Sequence, residues 1–167
     1  MTNSPNLRPD SIISYNDEQF MKSALQLANN AYQLGEVPVG AVMVYKGKII
    51  ASGYNRRETD KNSLRHAEID AIDGACRALG GWRLSGCTLY VTLEPCPMCA
   101  GAIINSRIGR VVYGASDAKA GAFGSVLNMN FYPLNHKVSL TTGVCEEECR
   151  ELLQKFFLRL REKRNKR

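Results

Sequence analysis

Cys96 and Cys99 stand three residues apart in Pro95-Cys96-Pro97-Met98-Cys99. The run before them, Thr88 to Leu93, is apolar and β-branched and reads as a buried strand. The run after them, Ala100 to Asn105, reads as helix, with Pro97 at a first helical position where its missing N–H costs nothing. The two thiols then share one face of the first turn, and the free N–H groups there favour thiolates. Two thiolates at this spacing can share one tetrahedral zinc. His66, in His66-Ala67-Glu68, offers a third donor and leaves the fourth position to water. Glu68 is too close to His66 in sequence to be a comfortable co-ligand, but well placed to take a proton from that water. One neutral imidazole and two thiolates bring Zn²⁺ to about zero net charge, so the metal keeps useful Lewis acidity.

Periodicity supplies the helices and strands around these groups. A helix capped by Asn16 or Asp17 runs to about Leu34, with Phe20, Ala24, Leu27, Ala28 and Ala31 on one face and Gly35 ending it. Val39–Tyr45 and Ile49–Tyr54 form a hairpin around Lys46-Gly47-Lys48. A second helix runs from His66 to Leu79 and closes at Gly80-Gly81. After the Cys96 strand and helix come a strand at Arg110–Gly114, a strand at Val138–Thr141 and a last helix reaching about Arg161. This order implies an α/β layered domain: a mixed sheet flanked by helices, with the metal site near strand ends and two helix N-termini. The chain divides into a loose N-terminal segment (1–15), one domain (16–161) and a basic C-terminal tail (162–167).

The chain's 167 residues suffice for one domain with a real core. The longest apolar stretch, Val37 to Tyr45, is too short to cross a membrane and holds Pro38 and Gly40. A cytoplasmic protein with mostly reduced cysteines is the reading, so the six cysteines are no disulfide framework. Cys76 and Cys87 read as packed. Cys145 and Cys149 mark a helix start rather than a second metal site. His136 is taken as structural or as lying at the edge of a bound RNA. The net charge of +6 is carried entirely by residues from Lys155 onward, and the remainder is formally neutral. A basic end on a neutral body suits a polyanion, or simply keeps the chain soluble.

The pair H-x-E and P-C-x-x-C resembles the zinc-dependent nucleobase deaminases. Glu36-Val37-Pro38-Val39-Gly40-Ala41, Gly53-Tyr54-Asn55-Arg56, Gly114 to Lys119 and Phe156-Phe157 resemble the bacterial tRNA adenosine deaminases (TadA-type) of the cytidine deaminase superfamily, from about Asn16 to Arg161. The resemblance implies a cytidine-deaminase-like three-layer α/β domain with a mixed five-stranded sheet, a homodimer and one Zn²⁺ per subunit. It implies hydrolytic conversion of adenosine to inosine at the wobble position of an anticodon stem-loop, with an arginine tRNA as the substrate. It makes Glu68 catalytic and His66, Cys96 and Cys99 the metal ligands. Asn55 would then hydrogen-bond the base and Val37 lie against it, with Glu36 near the pocket, Ala67 in the substrate-binding site, Asp117 near a ribose hydroxyl and Lys119 near a phosphate. Without the resemblance, Asn55 is an ordinary turn asparagine, Val37 and Pro38 shape a strand entry, and the 115–125 loop is plain surface. Arg56, Phe156, Phe157, Arg159 and Arg161 are candidate RNA contacts, although core packing suits at least one phenylalanine. Two other functions share these motifs: a deaminase of a free base or nucleoside such as guanine, cytosine or cytidine, and a non-catalytic zinc module that binds RNA.

Overall fold

The computed structural model describes residues 14–166. The reading of 1–13 as loose lies outside these residues. Nine of the ten elements match the expected order of helices and strands: α1 (Tyr15–Gln33), β1 (Gly40–Tyr45), β2 (Lys48–Tyr54), α2 (Ala67–Leu79), β3 (Cys87–Leu93), α3 (Pro97–Asn105), β4 (Arg110–Ala115), β5 (Ser139–Thr142) and α4 (Glu146–Asn165). The tenth is a 3₁₀ turn at Met129–Phe131.

The sheet order is β2-β1-β3-β4-β5. β1 pairs antiparallel with β2 and β3, while β3–β4 and β4–β5 are parallel. Alternation along the strands sorts the core into two layers. Ala41, Met43, Leu89, Val91 and Val111 pack under α2 and α3, against Ala71, Ile72 and Ile103. Val42, Val44, Tyr90 and Val112 pack the other way, against Met21 and Ala24 of α1 and Cys149 of α4. This is the expected three-layer domain.

β2, β3 and β4 run in the same sense, so their C-terminal ends lie at one edge of the sheet, and antiparallel β1 begins at that edge. The segments around residues 37, 55, 94 and 116 therefore meet. Gly53 makes the approach of β2 to α2 possible, since a Cβ there would lie 2.4 Å from the Ala67 carbonyl oxygen.

Most element bounds lie within a residue of the sequence reading, and the larger differences fall at the first and last helices. α1 is capped by Ser14, not Asn16 or Asp17: the Ser14 hydroxyl accepts from the Asp17 N–H, and the Asp17 carboxylate accepts from the Ser14 N–H in a capping box. Ser14 and Tyr15 therefore belong to the domain. α4 continues to Asn165, so 162–165 extend the last helix rather than forming a separate tail.

Asp17 also has a partner set that periodicity does not reveal. It is buried, accepts from the Tyr90 hydroxyl at 2.8 Å, and takes two bonds from Arg110 at 2.8 and 3.0 Å. Burial alone would raise its pKa, but the Arg110 and Tyr90 hydrogen bonds overcome that and hold the carboxyl at about 2, against an ordinary 3.8. Because the folded value is depressed, this contribution is full above about pH 4 and fades as the pH falls toward 2. Asp17→Asn should cost about 1–3 kcal/mol at pH 7. Urea unfolding at several pH values checks this: the gap between the variant and the parent should close in acid.

Candidate active site

His66 is the N-cap of α2 and Cys96 the N-cap of α3, with Cys99 in the first turn of α3. His66 Nδ1 lies 3.8 Å from Cys96 Sγ and 3.5 Å from Cys99 Sγ. A tetrahedral zinc with ordinary Zn–N and Zn–S bonds holds such atoms about 3.6 Å apart. The donor set therefore fits zinc, and among the described residues these three are the one His/Cys/Asp/Glu group that could hold a metal ion. His136 stands elsewhere: its Nε2–H donates to the Ile108 carbonyl at 2.7 Å, which makes it structural.

The electrostatics of the cluster are those of a polarised thiol pair. The Cys99 thiol hydrogen-bonds to Cys96 and, with His66 beside it and against the cost of burial, brings Cys96 down to about 4. Cys99 is pushed up in return by that bond and by burial. His66 is raised chiefly by its bond to Cys96. Glu68, in the first turn of α2, is buried, and burial lifts its carboxyl to about 7 against the opposing charge of His66.

His66, Ala67, Glu68 and Cys96 line a cavity of about 170 Å³. Val37, Asn55 and Asp117 complete the predicted part of its wall. Asn55 is held on both sides of its amide: Nδ2 donates to the Val37 carbonyl at 3.2 Å, and Oδ1 accepts from the Arg57 N–H at 3.3 Å. One N–H and one lone pair are left for a ligand. Asp117 Oδ1 accepts from the N–H groups of Lys119 and Ala120, at 2.9 and 3.2 Å, and so shapes its own turn.

Other candidates stand apart from the cavity. Glu36 is buried outside the cavity wall, and its carboxylate accepts the Thr59 N–H. It anchors a loop. Arg56 places its guanidinium on Asp70, 2.9 Å away, rather than toward a bound phosphate. The last helix divides its side chains between two grooves. Phe156 is buried edge-on to Tyr32 of α1, and Arg159 and Lys155 sit over the same tyrosine, each 5.6 Å from its ring centre. Phe157 and Arg161 instead line a groove of about 510 Å³ with Arg150, Arg164 and Lys119. Lys119, which lines that groove, is a sequence neighbour of Asp117 and Ala120 in the cavity wall.

Arg57, which reads from sequence only as part of a polar loop that could touch phosphates, lines the cavity, and sequence reasoning missed Glu94. Glu94 is buried just beyond β3. It accepts from the N–H groups of Asp117 (3.0 Å), Phe123 (3.0 Å) and Ser125 (3.1 Å), and from the Ser125 hydroxyl. Its place in Glu94-Pro95-Cys96 is a visible signal, but the partners lie far along the chain.

A sheet whose strand ends bring together a histidine, a cysteine pair and a buried glutamate at two helix N-termini defines a hydrolytic deaminase of the metal-dependent kind. Residues 15–161 match the family model described as MafB19-like deaminase. The chain is 52% identical over 149 residues to a tRNA-specific adenosine deaminase of Bacillus subtilis, covering 89% of this chain and 92% of that protein. It is 47% identical over 150 residues to the enzyme of the same name from Haemophilus influenzae, covering 89% and 87%. A solved structure from work on A-to-I editing by tRNA:A34 deaminases superposes with a TM-score of 0.79 at 46% identity, covering 81% of this chain and 99% of that one. A guanine deaminase from Nitrosomonas europaea is also similar, with a TM-score of 0.70 at 28% identity, covering 83% of each chain. The chain belongs to the deaminase family, in its tRNA-specific adenosine deaminase branch.

Glu94→Ala would strip the acceptor from buried and half-buried N–H groups of the 116–125 loop. It should cost about 1–3 kcal/mol in urea unfolding, and amide exchange at Phe123 and Ser125 should quicken.

Proposed function

We propose that this deaminase converts adenosine to inosine at the wobble position of a tRNA anticodon, with zinc as its cofactor, one per subunit, and an arginine tRNA as its substrate. The observation that carries the proposal is the cavity itself. A donor set spaced for zinc, a buried glutamate and an asparagine amide with one donor and one acceptor to spare all face one space sized for a single extruded base.

His66, Cys96 and Cys99 would hold the zinc, which when bound supplies a Lewis acid able to activate water near neutral pH. The chain's own groups do the rest. Asn55 orients the base through its remaining N–H and lone pair. Val37 gives the base an apolar wall. Glu68 accepts a proton from the water that adds to C6 and returns it to the ring nitrogen. It then moves the proton of the new C6 hydroxyl to the amino group, so that C6=O forms as the C6–N bond breaks, and ammonia leaves with inosine as product. An anticodon loop makes extrusion of the base cheap, because few stacks are lost.

The groove beside the cavity supports an RNA substrate rather than a free base. Lys119, Arg150, Arg161 and Arg164 supply positive charge, and Phe157, 43% exposed, offers a ring on which a base can stack. Arg159 and Phe156 are proposed only as supports of α4. A homodimer is the proposed acting form. The segment between β4 and β5 presents Val126, Phe131, Tyr132 and Leu134 to solvent, Phe131 at 85%, as an unpaired face would. No helix among the described residues is long and apolar enough to cross a membrane, in keeping with a proposed cytoplasmic site of action. The second reading, a deaminase of free guanine, is favoured by the likeness to the Nitrosomonas enzyme.

Zinc-loaded protein incubated with an anticodon-type RNA hairpin should release ammonia and form inosine, while free adenosine, cytidine and guanine stay unchanged. Turnover of free guanine would establish the second reading instead. Glu68→Ala should keep its zinc and lose at least about 100-fold in kcat, whereas Cys99→Ser should lose zinc and melt earlier. Arg161→Ala and Arg164→Ala should each weaken hairpin binding and flatten its salt dependence by about one ion. Arg159→Ala should leave that slope unchanged.

A further inference from the structure

We propose that Asp70 is a positioning residue that sets the spacing between the base-holding amide and the metal-ligating histidine. The proposal rests on the deaminase reading of the cavity.

Asn55 and His66 bracket a segment, 56–65, that forms only turns. No helix or strand runs between its ends, so their spacing rests on a few turn hydrogen bonds and on side chains. Each end carries an arginine, Arg56 beside Asn55 and Arg65 beside His66. Both reach one carboxylate: Arg56 Nη2 is 2.9 Å from Asp70 Oδ2, and Arg65 Nη1 is 2.9 Å from Asp70 Oδ1. The planar guanidinium groups each donate to a different oxygen, so neither displaces the other. Asp60, in the middle of the segment, lies 3.6 Å from each arginine. Two carboxylates thus balance two guanidinium groups.

The clamp continues into the backbone. Arg56 N–H donates to the Arg65 carbonyl at 3.1 Å, which ties the two ends directly. Asp70 is fixed on α2, one turn beyond His66, with its N–H donating to the His66 carbonyl at 3.2 Å. A Cβ on Gly53 would lie 2.7 Å from the Asp70 Cβ, so β2 runs hard against this carboxylate. The side chain of Asp70 is 11% exposed, those of Arg56 and Arg65 33% and 41%. Such half-exposed pairs contribute little to global stability. Their value is geometric. Asn55 must stand at one distance from the cluster that His66 belongs to, and small misplacement of a bound reactant is costly to rate.

The test uses the full, zinc-loaded chain with the RNA hairpin. Asp70→Asn keeps the shape of the side chain but gives up one of the two charged acceptors. Its kcat should fall about tenfold, with KM within about twofold, zinc content unchanged and the melting temperature close to that of the parent. Asp70→Glu, which keeps a carboxylate for both arginines, should recover most of kcat. Arg65→Gln cuts one arm and should lower kcat in the same way. The double variant should be no slower than Asp70→Asn alone, because both changes act through one clamp. Amide exchange at Asp60 and Arg65 should quicken in Asp70→Asn. A folded, zinc-loaded Asp70→Asn with the parent's kcat would overturn the proposal, as would losses that multiply in the double variant. An inactive parent would instead overturn the deaminase reading, and the exchange rates would then decide the clamp on their own.

Discussion

Three donor atoms from two distant segments must meet at one point, with charge that a divalent cation can balance. The sheet meets this requirement through the sense of its strands. Because β2 and β3 run in the same direction with β1 between them, the chain leaves both at the same edge. From that edge it re-enters as α2 and α3 on one face, so two helix N-termini point at a common space. His66 and Cys96 occupy the N-cap positions themselves, where free N–H groups favour anionic sulfur. β4 delivers its own loop to the same edge, and β1 starts there. The cavity is the space left between those segments, which explains why its wall draws on five separate stretches of sequence.

Two buried glutamates, Glu68 and Glu94, line this space and a third, Glu36, is buried outside its wall, and they do different work because their partners differ. Glu94 accepts hydrogen bonds from three N–H groups and a hydroxyl, and so ties the 116–125 loop to the end of β3. Glu36 accepts the Thr59 N–H and ties the 56–65 segment to the entry of β1. Glu68 lies where burial dominates, and its carboxyl is lifted to about 7. A carboxylate satisfied by N–H donors serves as a strut, while one whose charged form is disfavoured near neutrality can exchange protons. Residue type does not separate these roles; the surroundings of each carboxyl do, loop N–H groups for Glu36 and Glu94 and the His66–Cys96–Cys99 cluster for Glu68.

Features that depend on short spacing are legible in the sequence. Cys96-x-x-Cys99, His66-x-Glu68 and the alternation within strands carry their own geometry, so the ligands, the glutamate and nearly every element can be read directly. The departures lie where the deciding contact is distant. Asp17 reads as a cap because aspartate caps helices, yet its carboxylate also faces Tyr90 and Arg110 across the sheet. Arg56 reads as free to meet phosphate because it stands in a polar loop, yet Asp70 takes its guanidinium. Glu94 stands visibly beside Pro95-Cys96, but its work is not legible there because its four donors lie more than twenty residues onward. Ser14 reads as part of a loose segment because two prolines precede it, although its hydroxyl caps α1.

The last helix shows why a count of charges does not assign its role. Its basic residues are numerous, but they project on two sides. Lys155 and Arg159, four apart, lie on the side that meets α1, where they cover Tyr32 near the end of that helix. α1 carries no basic residue in its own last turn, and these two cations from α4 lie over a ring of that turn. Arg150, Arg161 and Arg164 project on the other side, around Phe157 and toward Lys119. One stripe thus packs toward α1, and the other lines the groove that holds Lys119. The two phenylalanines divide in the same way, although they are adjacent in sequence: a step of one residue turns a helical side chain by about 100°, enough to place Phe156 in the core and Phe157 in the groove. Residues 155–165 of the basic end are therefore part of a helix whose setting, with Phe156 edge-on to Tyr32, puts Lys155 and Arg159 on one side and Arg161 and Arg164 on the other.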